Sequence, residues 1–327
     1  MTKIHPYHQP QPGATDPSQC NGCGVCMLSC PVWQQHHTKA LTYCGRNRAL
    51  IGGANEEDLA PAARGCILCG SCEALCPMGI CTQQTTIALR RRLVEKGLMP
   101  VPVSLSKKKG TVTFKSSRVL LIGRAHGSKP ALVSSLVELL GKGFEVLPEY
   151  GSDIELDLES GREISEARMK EVVAPLLAAT EIVVSDGLLF NLLRSLLPSS
   201  ILVRPLGQAL LANPNVRSNL KAGDFYMIET RAYNARRLEF VALYDALRRE
   251  TGCFMNLDLQ RVATPTGAAS YHHHAGLENI VSVEAQVKWL LEGRDARRIV
   301  VEHLDDQEAF AKYTMIPVVH LAEVVKG

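Results

Sequence analysis

The chain has 327 residues, of which 46% are hydrophobic, 21% charged and 5% aromatic, and its formal net charge is +3. That length has room for two domains with sizeable cores, and the charge is too small to point to nucleic acid or an anionic membrane surface. The most apolar stretch, IVVSDGLLFNLLRSLLPSSILV, is broken by Asp186, Arg194 and Pro198. It falls short of the roughly 20 apolar residues of a spanning helix, so no transmembrane segment is expected.

At the start, MTKIHPYHQPQPGATDPSQ has no apolar core and does not read as a secretory signal. Its prolines and polar residues predict a mobile arm over residues 1–14, in a cytoplasmic protein. Of eleven cysteines, all but Cys253 lie between Cys20 and Cys81. In a cytoplasmic chain such crowding points to metal or redox chemistry before disulfides.

The crowding has an order. CNGCGVCMLSCP holds Cys20, Cys23, Cys26 and Cys30 before Pro31, and CILCGSCEALCP holds Cys66, Cys69, Cys72 and Cys76 before Pro77. Both read C-x2-C-x2-C-x3-C-P, the bacterial spacing for [4Fe–4S] ligation, in which the fourth cysteine serves the other cluster. The expected pairing is therefore crossed. One cluster takes Cys20, Cys23, Cys26 and Cys76; the second takes Cys66, Cys69, Cys72 and Cys30. Zinc sites use two ligand pairs across a longer loop rather than this run, repeated twice. The C-x3-C-x2-C of a radical enzyme is absent. Gly22, Gly24, Gly70 and Ser71 keep side chains clear where backbone N–H groups approach sulfides. Cys44 and Cys81 fall outside both motifs and read as buried free thiols.

Between the motifs lie 35 residues rich in Ala, Leu and Arg, which predict helices. TQQTTIALRRRLVEKG then reads as a closing helix capped by Gly97, its Arg90–Arg92 run fitting a solvated face. The expected module, residues 15–98, is a helical two-cluster ferredoxin. A linker is placed at 99–117, where prolines, serines and a lysine run change the composition.

From Arg118 to the end, β-branched runs alternate with amphipathic stretches: RVLLIG, FEVL, EIVVSD, ILVRPL, FYMIE, RIVVEHL and PVVHL. This predicts an α/β domain over 118–327 with a largely parallel sheet. It reads as two similar halves, about 118–212 and 223–327. Paired strands recur 19 residues apart from Ile182 to Ile201, and 18 apart from Ile299 to Pro317.

The motifs CGVCMLSCPVW and CGSCEALCPMGI, with their helical spacer, resemble those of a set of oxidoreductase iron–sulfur subunits. These are the ferredoxin-type subunits of heterodisulfide reductase, glycolate oxidase and anaerobic glycerol-3-phosphate dehydrogenase. The likeness covers about residues 15–97. The α/β layout resembles the tandem cysteine-rich domain that follows in the latter two, and that in heterodisulfide reductase is a separate chain. There the family carries Cys-Cys-Gly motifs, and some members hold a noncubane cluster. This chain instead has IGRAHG after the first strand, ATPTGAAS at 263–270, and Asp186 and Glu302 after its IVV strands.

The resemblance implies an electron-transfer subunit, relaying single electrons between a flavin-containing or other redox partner and an acceptor. The partner would supply any membrane association, and the α/β domain would be a docking scaffold. A rival reading gives that domain its own metal or substrate site, with His272, His273 and His274 as candidate ligands, although adjacent residues point in different directions. Arg231, Arg236 and Arg237 at a strand end suit either a bound anion or a solvated face. A third reading, clusters as structural elements of a nucleic-acid enzyme, fits poorly with the modest net charge. No Ser–His–Asp or paired-carboxylate arrangement stands out.

Overall fold

A computed structural model describes residues 17–100, 113–270, 273 and 280–326. The expected N-terminal arm, the middle of the expected linker, His272 and His274 lie outside the described residues. Among those described, no helix is long and apolar enough to cross a membrane.

The first part is helical. The spacer between the cysteine motifs forms α1 (Pro31–His36), α2 (Tyr43–Ile51) and α3 (Ala60–Gly65). Pro31 and Pro61 each stand in the first turn of their helix, where no backbone donor is needed. The second motif contributes α4 (Ser71–Leu75), and α5 (Thr82–Glu95) closes the module. Gly97, at φ +70°, ends α5 by donating to the Val94 carbonyl while Leu98 donates to that of Leu93.

Eight strands follow: β1 (Arg118–Ile122), β2 (Phe144–Pro148), β3 (Glu181–Val184), β4 (Leu202–Pro205), β5 (Asp224–Met227), β6 (Phe254–Met255), β7 (Arg298–Val301) and β8 (Val318–His320). They form two four-stranded parallel sheets, ordered β2-β1-β3-β4 and β6-β5-β7-β8. One sheet per half, with the same order in both, is how the internal repeat is expressed. Strands such as RVLLI and RIVV are buried along almost their whole length because helices cover both faces.

The halves share a core. Tyr226, Ile228 and Val300 join the first half's Val119, Val183 and Phe190 in one apolar cluster, and so do Leu321, Ala322 and Val324 near the C-terminus. The alternate residues Phe225, Met227, Ile299 and Val301 point to a second cluster on the other face, following the two-residue period of a strand.

Strand register aligns the halves residue by residue. Leu121 pairs with Val184, and Met227 pairs with Val301, so Gly123 corresponds to Glu229 and Ser185 to Glu302. The contacts repeat as well: Gly123 N–H donates to Ser185 Oγ at 3.0 Å, and Glu229 N–H to Glu302 Oε2 at 2.8 Å.

Glu302 is the larger group and fills its end of the sheet. Tyr226 and Tyr244 hydroxyls both donate to its Oε1 at 2.7 Å. Burial raises its carboxyl to about 7, against the hydrogen bonds from Glu229, Tyr226 and Tyr244 that lower it. The folded protein therefore holds a proton that the unfolded chain has lost. Stability should fall as pH rises from about 4.5 to about 7 and then level off, a change of about 3 kcal/mol. Urea titrations of wild type and Glu302→Gln across that range should differ by this slope; parallel curves would show that Glu302 does not carry it.

Candidate metal centres

The two cysteine motifs share one local backbone. Gly24 and Gly70, each just after the second cysteine, take φ of +76° and +75° with ψ of −2° in both. Only glycine adopts this conformation at no steric cost. A Cβ at Gly70 would also meet Gln83 Nε2 at 2.9 Å. Each glycine opens a short helical turn that carries the third cysteine, Cys26 or Cys72. The turn ends at the fourth, where Cys30 and Cys76 leave in extended conformation.

The result is two thiol sets. One cavity is lined by Cys30 together with Cys66, Cys69 and Cys72, closed by Val32, Leu41, Tyr43, Arg46 and Thr86. At the other end, Cys26 has Cys44, Cys30, Cys76 and Cys20 as electrostatic neighbours, in falling order of effect. Cys23 is exposed there.

Burial, then repulsion from neighbouring sulfurs, pushes the Cys26 thiol up to about 12. Cys30 also reaches about 12, through burial and then Cys69 and Cys66. Cys72 is raised well above the ordinary range by burial, Cys66 and Cys69. Thiols packed this way ionise together only against strong positive charge, which a metal supplies.

Cys66 is the exception. Burial would raise it, but the guanidinium groups of Arg46 and Arg90 outweigh that and hold it below its usual value. Arg46 is itself buried, donating to the Ala62 carbonyl at 3.3 Å and to Thr86 Oγ1, and lying 4.9 Å over the Tyr43 ring. Hydroxyls reach two other sulfurs: Thr82 Oγ1 is 2.9 Å from Cys72 Sγ, and Ser71 Oγ is 3.3 Å from Cys69 Sγ.

One tetrahedral zinc would hold its sulfurs about 3.8 Å apart, given a Zn–S length of about 2.3 Å. Among the described residues no three Cys, His, Asp or Glu side chains converge in a way that could hold a single metal ion. Four thiols around one cavity, with no histidine or carboxylate among the described residues of its lining, form a donor set that a cube can use, each sulfur taking a different iron. The donor set, three cysteines of one C-x2-C-x2-C-x3-C-P run and the fourth of the other, fits a [4Fe–4S] cluster.

The module is locked onto the α/β region, and the locking residues correct two expectations. Arg90 is fully buried, not part of a solvated face. Its guanidinium donates to the carbonyls of Ala63 (3.0 Å), Glu159 (2.5 Å) and Cys66. Arg231, in the helix Thr230–Ala235 after β5, is also buried. It donates to Glu159 Oε1 and to the Ala269 carbonyl, both at 2.7 Å, and to the Ile67 carbonyl at 3.4 Å. Its other terminal nitrogen lies 3.9 Å from Asp186. Asn234, from the same helix, donates to the carbonyls of Cys69 (2.9 Å) and Ala263 (2.8 Å). The ATPTGAAS loop, mostly buried, thus lies against the second motif.

Cys44 is buried, as expected, but beside Cys20 and Cys23. Cys81 is only half-buried, next to Glu73 and Cys76. Cys253 is buried just before β6, as a small hydrophobe would be. His273 is exposed. A paired carboxylate does exist: Glu155 and Asp186, 31 positions apart, line the same cavity and repel one another. The helix Ser152–Ser160 and the end of β3 bring them together.

Residues 16–80 match a family model described as a 4Fe-4S dicluster domain. The helical part of this chain therefore carries an iron–sulfur domain of ferredoxin type that binds 4Fe–4S clusters. No curated protein and no solved structure matches the chain.

Proposed function

We propose that the chain is an electron-transfer component of a cytoplasmic oxidoreductase complex and holds two [4Fe–4S] clusters in crossed ligation. Cys20, Cys23, Cys26 and Cys76 hold one; Cys66, Cys69, Cys72 and Cys30 hold the other. When bound, such clusters supply one-electron transfer with no bond made or broken. The observation that carries the reading is Cys30 lining the cavity of Cys66, Cys69 and Cys72.

The residues divide the labour. Arg46 and Arg90 offset negative charge at the enclosed set, which favours the reduced state there. The other set faces outward: Cys23 and the neighbouring Leu28 are exposed, Leu28 at 53%. That end suits docking of a flavin-containing or other redox protein. The resemblance to iron–sulfur subunits of the heterodisulfide reductase and glycolate oxidase type supports the same role.

A reductive titration of anaerobically purified protein tests this. The chain alone should take up and return electrons reversibly yet turn over no substrate, with turnover appearing when a redox partner is added. Clusters that cannot be cycled at any accessible potential would leave only a structural role. A second reading, an enzyme with its own site in the α/β region, draws on a polar cavity lined by His126, Glu155, Asp186 and His303.

A further inference from the structure

The two halves differ at one place. In parallel sheets of this kind ligands bind beyond the strand C-termini, where the strand order reverses. In the second sheet that place, between β5 and β7, is filled by Glu302 and its two tyrosines. In the first, between β1 and β3, the small residues Gly123 and Ser185 take the corresponding positions and leave a cavity of about 410 Å³. That size belongs to small-molecule sites, which run from about 300 Å³ upward, and is far more than one metal ion needs.

We propose that this cleft binds a small organic cation, a primary amine or a guanidine, between Asp186 and Glu155 on one side and His126 on the other. The inference is separate from the electron-transfer reading and does not depend on it. Four observations carry it. His126 is 1% exposed and lines the cleft, and its Nε2 has no hydrogen-bond partner. A buried polar atom left so is costly unless something enters to meet it. Burial, then the neighbouring His320 and His303, holds His126 well below its usual range, so it is neutral and able to accept an N–H.

Next, Glu155 and Asp186 both line the cleft, and burial, then the charge of Asp186, raises Glu155 well above the carboxylate range. The pair thus keeps a proton that an arriving cation would displace. Arg231 does not compensate fully, being bonded to Glu159 and 3.9 Å from Asp186. Finally, Asp305 and Glu308 add acidic groups to the lining, with His303 pairing to Asp305 at 3.5 Å. The balance of the lining is negative and rejects anions.

Calorimetry on the full-length protein, titrated with 1,4-diaminobutane, agmatine, succinate and Mn²⁺ separately, tests the proposal. At least one of the two organic cations should saturate a single site and release a proton, read by comparing buffers of different ionisation enthalpy. Asp186→Asn keeps an N-cap for its helix and should weaken that binding at least tenfold. His126→Gln should weaken it as well. Silence from both cations, equal binding of succinate, binding of Mn²⁺ alone, or undiminished binding by Asp186→Asn would each overturn the assignment.

Discussion

Cys30→Ser should remove or alter the cluster held by Cys66, Cys69 and Cys72, and Cys76→Ser the cluster of the first motif. Serine keeps the size and the extended backbone of both positions while replacing the soft thiolate ligand. The two variants should therefore fold and differ in which signal they lose. The signals are distinguishable in principle, because two guanidinium groups, Arg46 and Arg90, act on Cys66 while Arg48 donates to the Cys20 carbonyl, and nearby positive charge raises a cluster's reduction potential. Electron paramagnetic resonance of each variant at graded potentials reads the difference. Cys30→Ser should lose the more easily reduced signal and Cys76→Ser the other. The reverse assignment would show that each motif serves its own cluster.

Arg231→Ala should be among the most destabilising single changes in the chain. Arg231 is 3% exposed and pairs with Glu159, 4% exposed. Truncation leaves that carboxylate buried without its partner and removes the donors to the Ile67 and Ala269 carbonyls. Breaking a buried pair from one side costs about 3–5 kcal/mol. Arg237, whose bonds to Gln260 and Ala74 lie nearer the surface, provides the contrast, and Arg237→Ala should cost under about 1 kcal/mol. Urea midpoints followed by circular dichroism check both. An Arg231→Ala midpoint equal to that of Arg237→Ala would mean that the buried network contributes little to holding the module in place.

Local signals carried much of this architecture. The runs RVLLI, EIVV and RIVV are β-branched and apolar because their sheets are covered on both faces, and each is a strand. The cysteine spacing pointed to the same domain that the family comparison finds over residues 16–80. What the sequence hid depends on contacts between distant residues. RRR at 90–92 looks solvated, yet Arg90 turns inward because three backbone carbonyls await it at the join of module and sheet. Nothing adjacent in sequence marks those carbonyls. The repeat was visible in strand spacing, but the exchange of Ser185 for Glu302, which opens one sheet end and fills the other, needed the register of both sheets. Arg46 had a faint signal, the basic YCGRNR run that opens α2.

Iron and acid-labile sulfide analysis of anaerobically purified full-length protein tests the central claim most directly. Two cubane clusters require about eight irons and about eight sulfides per chain. About half of each would mean that only one thiol set is loaded, and stoichiometric zinc without labile sulfide would contradict the account outright.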